Sequence, residues 1–98
     1  MSTIDVRRTH TLPRDEARKR AEELAQTMKQ RFDLDWHWDG DRILFEARRG
    51  AAKGTRGSVD VNEREVRVQI ELPLMLRVMK AAVESKVQEK LGKALSGD

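Results

Sequence analysis

Leu34-Asp35-Trp36-His37-Trp38-Asp39-Gly40-Asp41-Arg42-Ile43-Leu44-Phe45 is the stretch that decides the fold of this chain. Apolar and polar residues alternate on both sides of Asp39-Gly40, the period of two half-buried strands. Asp-Gly supplies the positive backbone angles that a tight two-residue hairpin turn needs. With the turn there, Trp36 is expected opposite Ile43 and Leu34 opposite Phe45, on one side of a sheet. Asp35 and His37 then point to the other side with Arg42 and Leu44. Both tryptophans and one of the two phenylalanines lie in this hairpin, so it is expected to anchor the core, with Trp36 buried.

Upstream, Ile4 and Val6 alternate with Thr3, Asp5 and Arg7, a first half-buried strand. Pro13 suits the first turn of a helix, and Asp15 and Glu16 suit the positive end of its dipole. Ala17, Ala21, Leu24, Ala25, Met28 and Phe32 then recur at helical steps. The opposite side pairs Arg18 with Glu22 and Lys19 with Glu23 at ion-pair spacing, and reads as solvated surface. Downstream, Val59 and Val61, then Val66, Val68, Ile70 and Leu72, alternate around a turn at residues 62–65, a second hairpin. Pro73 ends that strand and opens a last helix reaching about Leu95. Gly97 and Asp98 are expected to fray. The resulting order, β-α-β-β-β-β-α, predicts an α+β fold with a five-stranded antiparallel sheet and both helices on one face.

The chain has 98 residues, enough for one two-layer domain, here expected to span 1–98 with an ordered core of about 3–95. Charged residues make up 38% and cysteine is absent, so no disulfide, thiol nucleophile or thiolate metal site is available. No apolar run approaches a membrane span, and the first residues lack a signal-peptide pattern, so a cytoplasmic location is expected. The net charge is only +3. Its cations are interleaved with acids, a pattern of ordinary solubility that argues against nucleic acid as the partner.

Three patterns bear on chemistry. Asp35-x-His37-x-Asp39-Gly40 with Glu46 approaches a calcium loop. His37 replaces an oxygen ligand, however, and the flanks have strand rather than helix period, so no metal is expected. Residues 48–57 carry Arg48, Arg49, Lys53 and Arg56 with no neighbouring acid. They form a candidate basic loop for a polyanion or an acidic partner, or simply a mobile surface connection. His10 and His37 lack ligand-spaced partners, and His10, between a strand end and a helix start, is expected to make a local hydrogen bond. No cofactor is expected.

In the last helix, Leu76, Met79, Val83, Val87, Leu91 and Ala94 form a core stripe. Leu74, Met75 and Val78 lie beyond it, making the first turns apolar almost all round. Either this start is wedged between the sheet and the first helix, or it is a contact patch for a partner subunit, as in a homodimer, a lipid-like ligand or an apolar surface. The wedged start is the favoured reading of the segment; because the stripe is already complete, charging Leu74 and Val78 is nevertheless expected to leave the fold intact and weaken association.

Ile4-x-Val6-x-Arg8-x-His10-x-Leu12, Glu16-Ala17-Arg18-x-x-Ala21-Glu22-x-Leu24-Ala25 and Trp38-x-Gly40-Asp41-x-Ile43-x-Phe45 together resemble the polyhydroxyalkanoic acid system proteins. Gly54-x-x-Gly57-x-Val59-x-Val61 and Val66-x-Val68-x-Ile70-x-Leu72 extend the likeness. It implies a bacterial, cytoplasmic protein encoded near polyhydroxyalkanoate genes, with the granule surface or granule proteins as partners and no catalytic residues to carry over. The expectation is a non-enzymatic accessory protein of granule formation or regulation. The alternatives are a carrier of an acyl or other apolar ligand held between sheet and helices, and a nucleic-acid-binding regulator.

Overall fold

Strands form where apolar residues alternate, and helices where they recur every three to four residues. The computed structural model describes residues 3–96; the fraying expected of Gly97 and Asp98 lies outside them. The elements are β1 (Ile4–Thr9), α1 (Arg14–Phe32), β2 (Leu34–Asp39), β3 (Arg42–Ala47), β4 (Arg56–Val61), β5 (Glu65–Glu71), a 3-10 helix (Leu74–Met79) and α2 (Lys80–Ala94). This is the expected α+β order. Every strand pair is antiparallel and the sheet runs β1-β5-β4-β3-β2. β1 and β2 are therefore opposite edges, and α1 must cross the sheet to join them.

Ile4, Val6, Ile43, Val59, Val61, Val66, Val68 and Ile70 turn inward and are buried, as the alternation requires. Ala17, Ala21 and Ala25 of α1, with Val87 and Leu91 of α2, close over them. Three alanines at four-residue spacing let the first half of α1 lie close to the sheet. Its second half carries Leu24, Met28 and Phe32, which are not buried, and Phe32 is 46% exposed. The helix stops at Asp33, whose left-handed backbone (φ 55°) returns its N–H to the Lys29 carbonyl, a cap that Asp tolerates better than most residues.

The tryptophan hairpin forms, but two residues out of the expected register. Trp36 faces Phe45, Leu34 faces Ala47 and Trp38 faces Ile43, with Asp39 and Arg42 as the last pair. The turn is thus Gly40-Asp41, with Gly40 at φ 65° in its first central position, where a type II′ turn places glycine. A slip of two keeps every side chain on its expected face, whereas a slip of one would have reversed them all. Trp36 is half-buried rather than buried.

The last helix also departs from expectation. Residues 74–79 are a 3-10 helix, and α2 begins only at Lys80. In a 3-10 turn, residues three apart stack on one side, so Met75 aligns with Val78 and Leu76 with Met79. That geometry breaks the expected stripe. Leu76 is half-buried, Met79 is 51% exposed, and Leu74, Met75 and Val78 are 77%, 88% and 90% exposed. The start of this segment is not wedged into the core.

The outer sheet face is laced with cross-strand ion pairs: Arg67 with Asp5 at 2.6 Å, Arg42 with Asp60 at 2.6 Å and Arg56 with Glu71 at 2.9 Å. The hydrogen bond from Arg67 holds Asp5 below its ordinary 3.8, and that from Arg56 holds Glu71 below 4.5. Carboxylates depressed in the folded state stabilise it above their unfolded pKa, and this contribution fades as pH falls through the folded value. The melting temperature is therefore expected to fall as pH drops below the ordinary values of 4.5 and 3.8, and to fall less in Asp5→Asn with Glu71→Gln. An identical acid slope in that double variant would assign the loss to other groups.

Candidate functional site

The residues that carry the family likeness hold elements together. Asp41, freed by the shifted turn, receives the Arg18 Nη1 at 2.7 Å and also pairs with Arg14. Arg18 also donates to the Gly40 carbonyl at 3.1 Å and lies 4.0 Å above the Trp38 ring, a cation–π contact. Trp38 Nε1 donates to Glu22 at 2.8 Å. The side of α1 read from sequence as plain solvated surface is thus a clamp on the hairpin. The Arg18–Glu22 pairing expected along the helix is replaced by these bonds across to the sheet.

The first motif is equally architectural. His10 is buried, accepts the Leu12 N–H on Nδ1 at 3.2 Å and places Nε2 2.9 Å from the Asn62 carbonyl oxygen. One tautomer, with hydrogen on Nε2, satisfies both bonds. The local bond expected of His10 is present, and the bond to Asn62 ties β1 to the β4–β5 turn. Arg8 lies against α2 at Gly92, where a Cβ would stand 2.5 Å from its Nη2. His37 is exposed on the outer face, and Asp35, Asp39 and Glu46 sit on strands of a hairpin rather than in a loop between helices.

The basic loop is neither loose nor free of acids. Ala47 N–H donates to the Thr55 carbonyl and Gly54 N–H to that of Ala47, at 2.8 and 2.9 Å, so the strands close behind it. Arg49 pairs with Asp33 at 2.8 Å, Arg56 with Glu71 at 2.9 Å, and Arg48 lies 3.8 Å from Asp35. The acids are far away in sequence and adjacent in space. Of the four candidate cations, only Lys53 stands without an ion-pair partner among the described residues.

Two apolar features remain. The first is the 3-10 turn, where Leu74, Met75, Val78 and Met79 present large side chains to solvent, with the exposed Arg77 among them and Lys80 after them. The second is a cavity of about 370 Å³ between the second half of α1, the start of α2 and the sheet. Its walls include Leu24, Met28 and Val83, and its floor includes Trp36, Phe45 and Val59. Met79 belongs to both features. The cavity explains why Trp36 and Phe45 are only half-buried: the alanine half of α1 lies on the sheet, and the Leu24–Met28 half does not fill the space beneath it. Periodicity in the sequence marks these residues as inward but carries no sign of a void.

Among the described residues no helix is long and apolar enough to cross a membrane. No functionally curated protein matches the chain. A solved structure similar to it, TTHA0849 from Thermus thermophilus, is 17% identical, covering 94% of this chain and 92% of that one, with a TM-score of 0.39. The motifs that build the clamp and the His10 bridge fall inside a match over residues 4–95 to the family described as "Putative polyhydroxyalkanoic acid system protein", and the chain belongs to that family.

Proposed function

We propose that this protein is a non-enzymatic binding component of the polyhydroxyalkanoate system, attaching to the granule surface through its 3-10 turn. The observation that carries this reading is the exposure of Leu74, Met75, Val78 and Met79 on one short segment. Monomeric soluble proteins rarely leave large apolar side chains grouped in this way without a surface to meet. Each is worth about 1.5–3 kcal/mol when fully buried, so partial insertion of four supports reversible adsorption. Lys80 follows them and can keep its charge in water while its stem follows the apolar side chains down. The commitment of His10 and of the Trp38–Asp41 motif to structural bonds supports a role in binding rather than catalysis.

The test is Leu74→Asp with Val78→Lys. Because both residues are exposed, the melt should stay within a few degrees of wild type, while co-sedimentation with isolated granules should fall at least about tenfold. A collapsed melt would place these residues in the core. Undiminished sedimentation, with or without a change from dimer to monomer on sizing chromatography, would remove the granule reading and leave the patch to a second copy or to no partner.

A further inference from the structure

We propose that the cavity between α1, α2 and the sheet is a binding site for a single-chain aliphatic carboxylate, with the tail inside and the carboxylate at a mouth formed by Arg31, Lys86 and Lys90. The interior is apolar on every side, with helix residues above and inward strand residues below. Its exposed lining residues, Arg31, Phe32, Met79, Ala82 and Lys86, come from the end of α1 and the start of α2, so the cavity opens between those two helix ends. Among the described residues, the only charged ones lining it are Arg31, Lys86 and Lys90, and no acid lines it.

These three cations converge on one apolar opening with no acid beside them. Arg48, Arg49 and Arg56 of the loop and Arg42 and Arg67 of the outer face are matched to carboxylates, whereas Arg31, Lys86 and Lys90 have no ion-pair partner among the described residues. Their aliphatic stems line the wall, which leaves the charged ends for the solvent side of the opening. An apolar slot with a few convergent polar groups at one end is the usual form of a small-molecule site. Here the groups select a negative head.

Volume sets the tail. An apolar cavity of about 150 Å³ accepts a six-carbon ring. A cavity of about 370 Å³ should therefore take a chain of roughly ten to fourteen carbons on the same scale. This site is separate from the granule-docking turn, which it meets only at Met79.

The experiment titrates dodecanoate, below its micellar concentration, into the full-length protein by calorimetry and thermal melt, with its methyl ester as the uncharged control. One saturable site per chain and a rise in melting temperature are expected, with the ester at least about tenfold weaker. Arg31→Gln with Lys86→Gln and Lys90→Gln should remove that preference while keeping the wild-type melt. Val83→Trp, which fills the slot, should abolish binding of both. Leu74→Asp with Val78→Lys should bind dodecanoate as wild type does, so failure of granule docking and failure of this site are read separately. No saturable binding, equal affinity for acid and ester, or undiminished binding to a folded Val83→Trp would each overturn the proposal.

Discussion

Ile43→Ala should destabilise the fold by about 3–4 kcal/mol, whereas Trp36→Ala, which deletes far more side chain, should cost about half as much. Ile43 is 0% exposed and pairs with Trp38 on one neighbouring strand and Val59 on the other. Truncation there leaves a closed void among side chains that cannot collapse into it, for which losses of about 2–5 kcal/mol are usual. Trp36 is half-buried on an edge strand and already borders a cavity. Removing its ring enlarges a space that exists and uncovers less surface than a filled core would. In a domain of this size about 3–4 kcal/mol lowers the melting temperature by roughly 12–30 °C, a large part of the usual 5–15 kcal/mol total. The ranking is the test, and chemical denaturation of the two variants decides it. If Trp36→Ala proves the more damaging, the ring is packed and the cavity beside it is not open.

Gly57→Ala is the second large effect, expected at about 2–3 kcal/mol from a single added methyl. Gly57 faces Phe45 on β3 and Ile70 on β5, with the Phe45 ring leaning across it. A Cβ there would stand 2.2 Å from the Gln69 carbonyl oxygen, 2.7 Å from Phe45 Cζ and 3.1 Å from Ile70 Cα. Two of the three obstacles are backbone, so the strands themselves must part, at the cost typical of overpacking. Phe45→Leu removes the one side-chain atom among these three. The double variant should therefore recover little of the loss, and a double-mutant cycle should return a small coupling. Substantial recovery would show that the ring alone excludes the methyl.

How far the sequence carried can be judged at particular residues. Inward and outward faces of the strands were legible, because period two is a property of the backbone and survives a register shift of two. The turn was not: Asp39-Gly40-Asp41 offers glycine to either frame, and the choice follows the bonds from Asp41 to Arg14 and Arg18, more than twenty positions earlier. Separation in sequence also hid the partners of Arg49 and Arg56, whose acids are neighbours only once the sheet has formed. Leu74, Met75 and Val78 were legible as surplus to the core. Met79 leaves the stripe that a 3.6-residue period predicts because its segment is a 3-10 turn, with three residues per turn. The cavity left no mark in the sequence, since it lies where Leu24, Met28 and Phe32 leave space over Trp36 and Phe45 unfilled.

The placement of β1 beside β5 also has a kinetic consequence. Strands β2 to β5 form three successive hairpins, whose pairings close short loops, while β1 pairs Ile4 with Ile70 and Val6 with Val68 across more than sixty positions. Closing that loop costs more entropy, and long-range contacts are what slow folding. The meander is thus the natural nucleus, and β1, with the helix that follows it, docks onto an edge already made. Interactions gained in that late step weigh mainly on the rate of unfolding. The His10 bridge to Asn62, the Arg67–Asp5 pair and the seat of Arg8 over Gly92 all belong to it. The lifetime of the native state is therefore set at the opposite edge of the sheet from the hairpin whose sequence announces the fold.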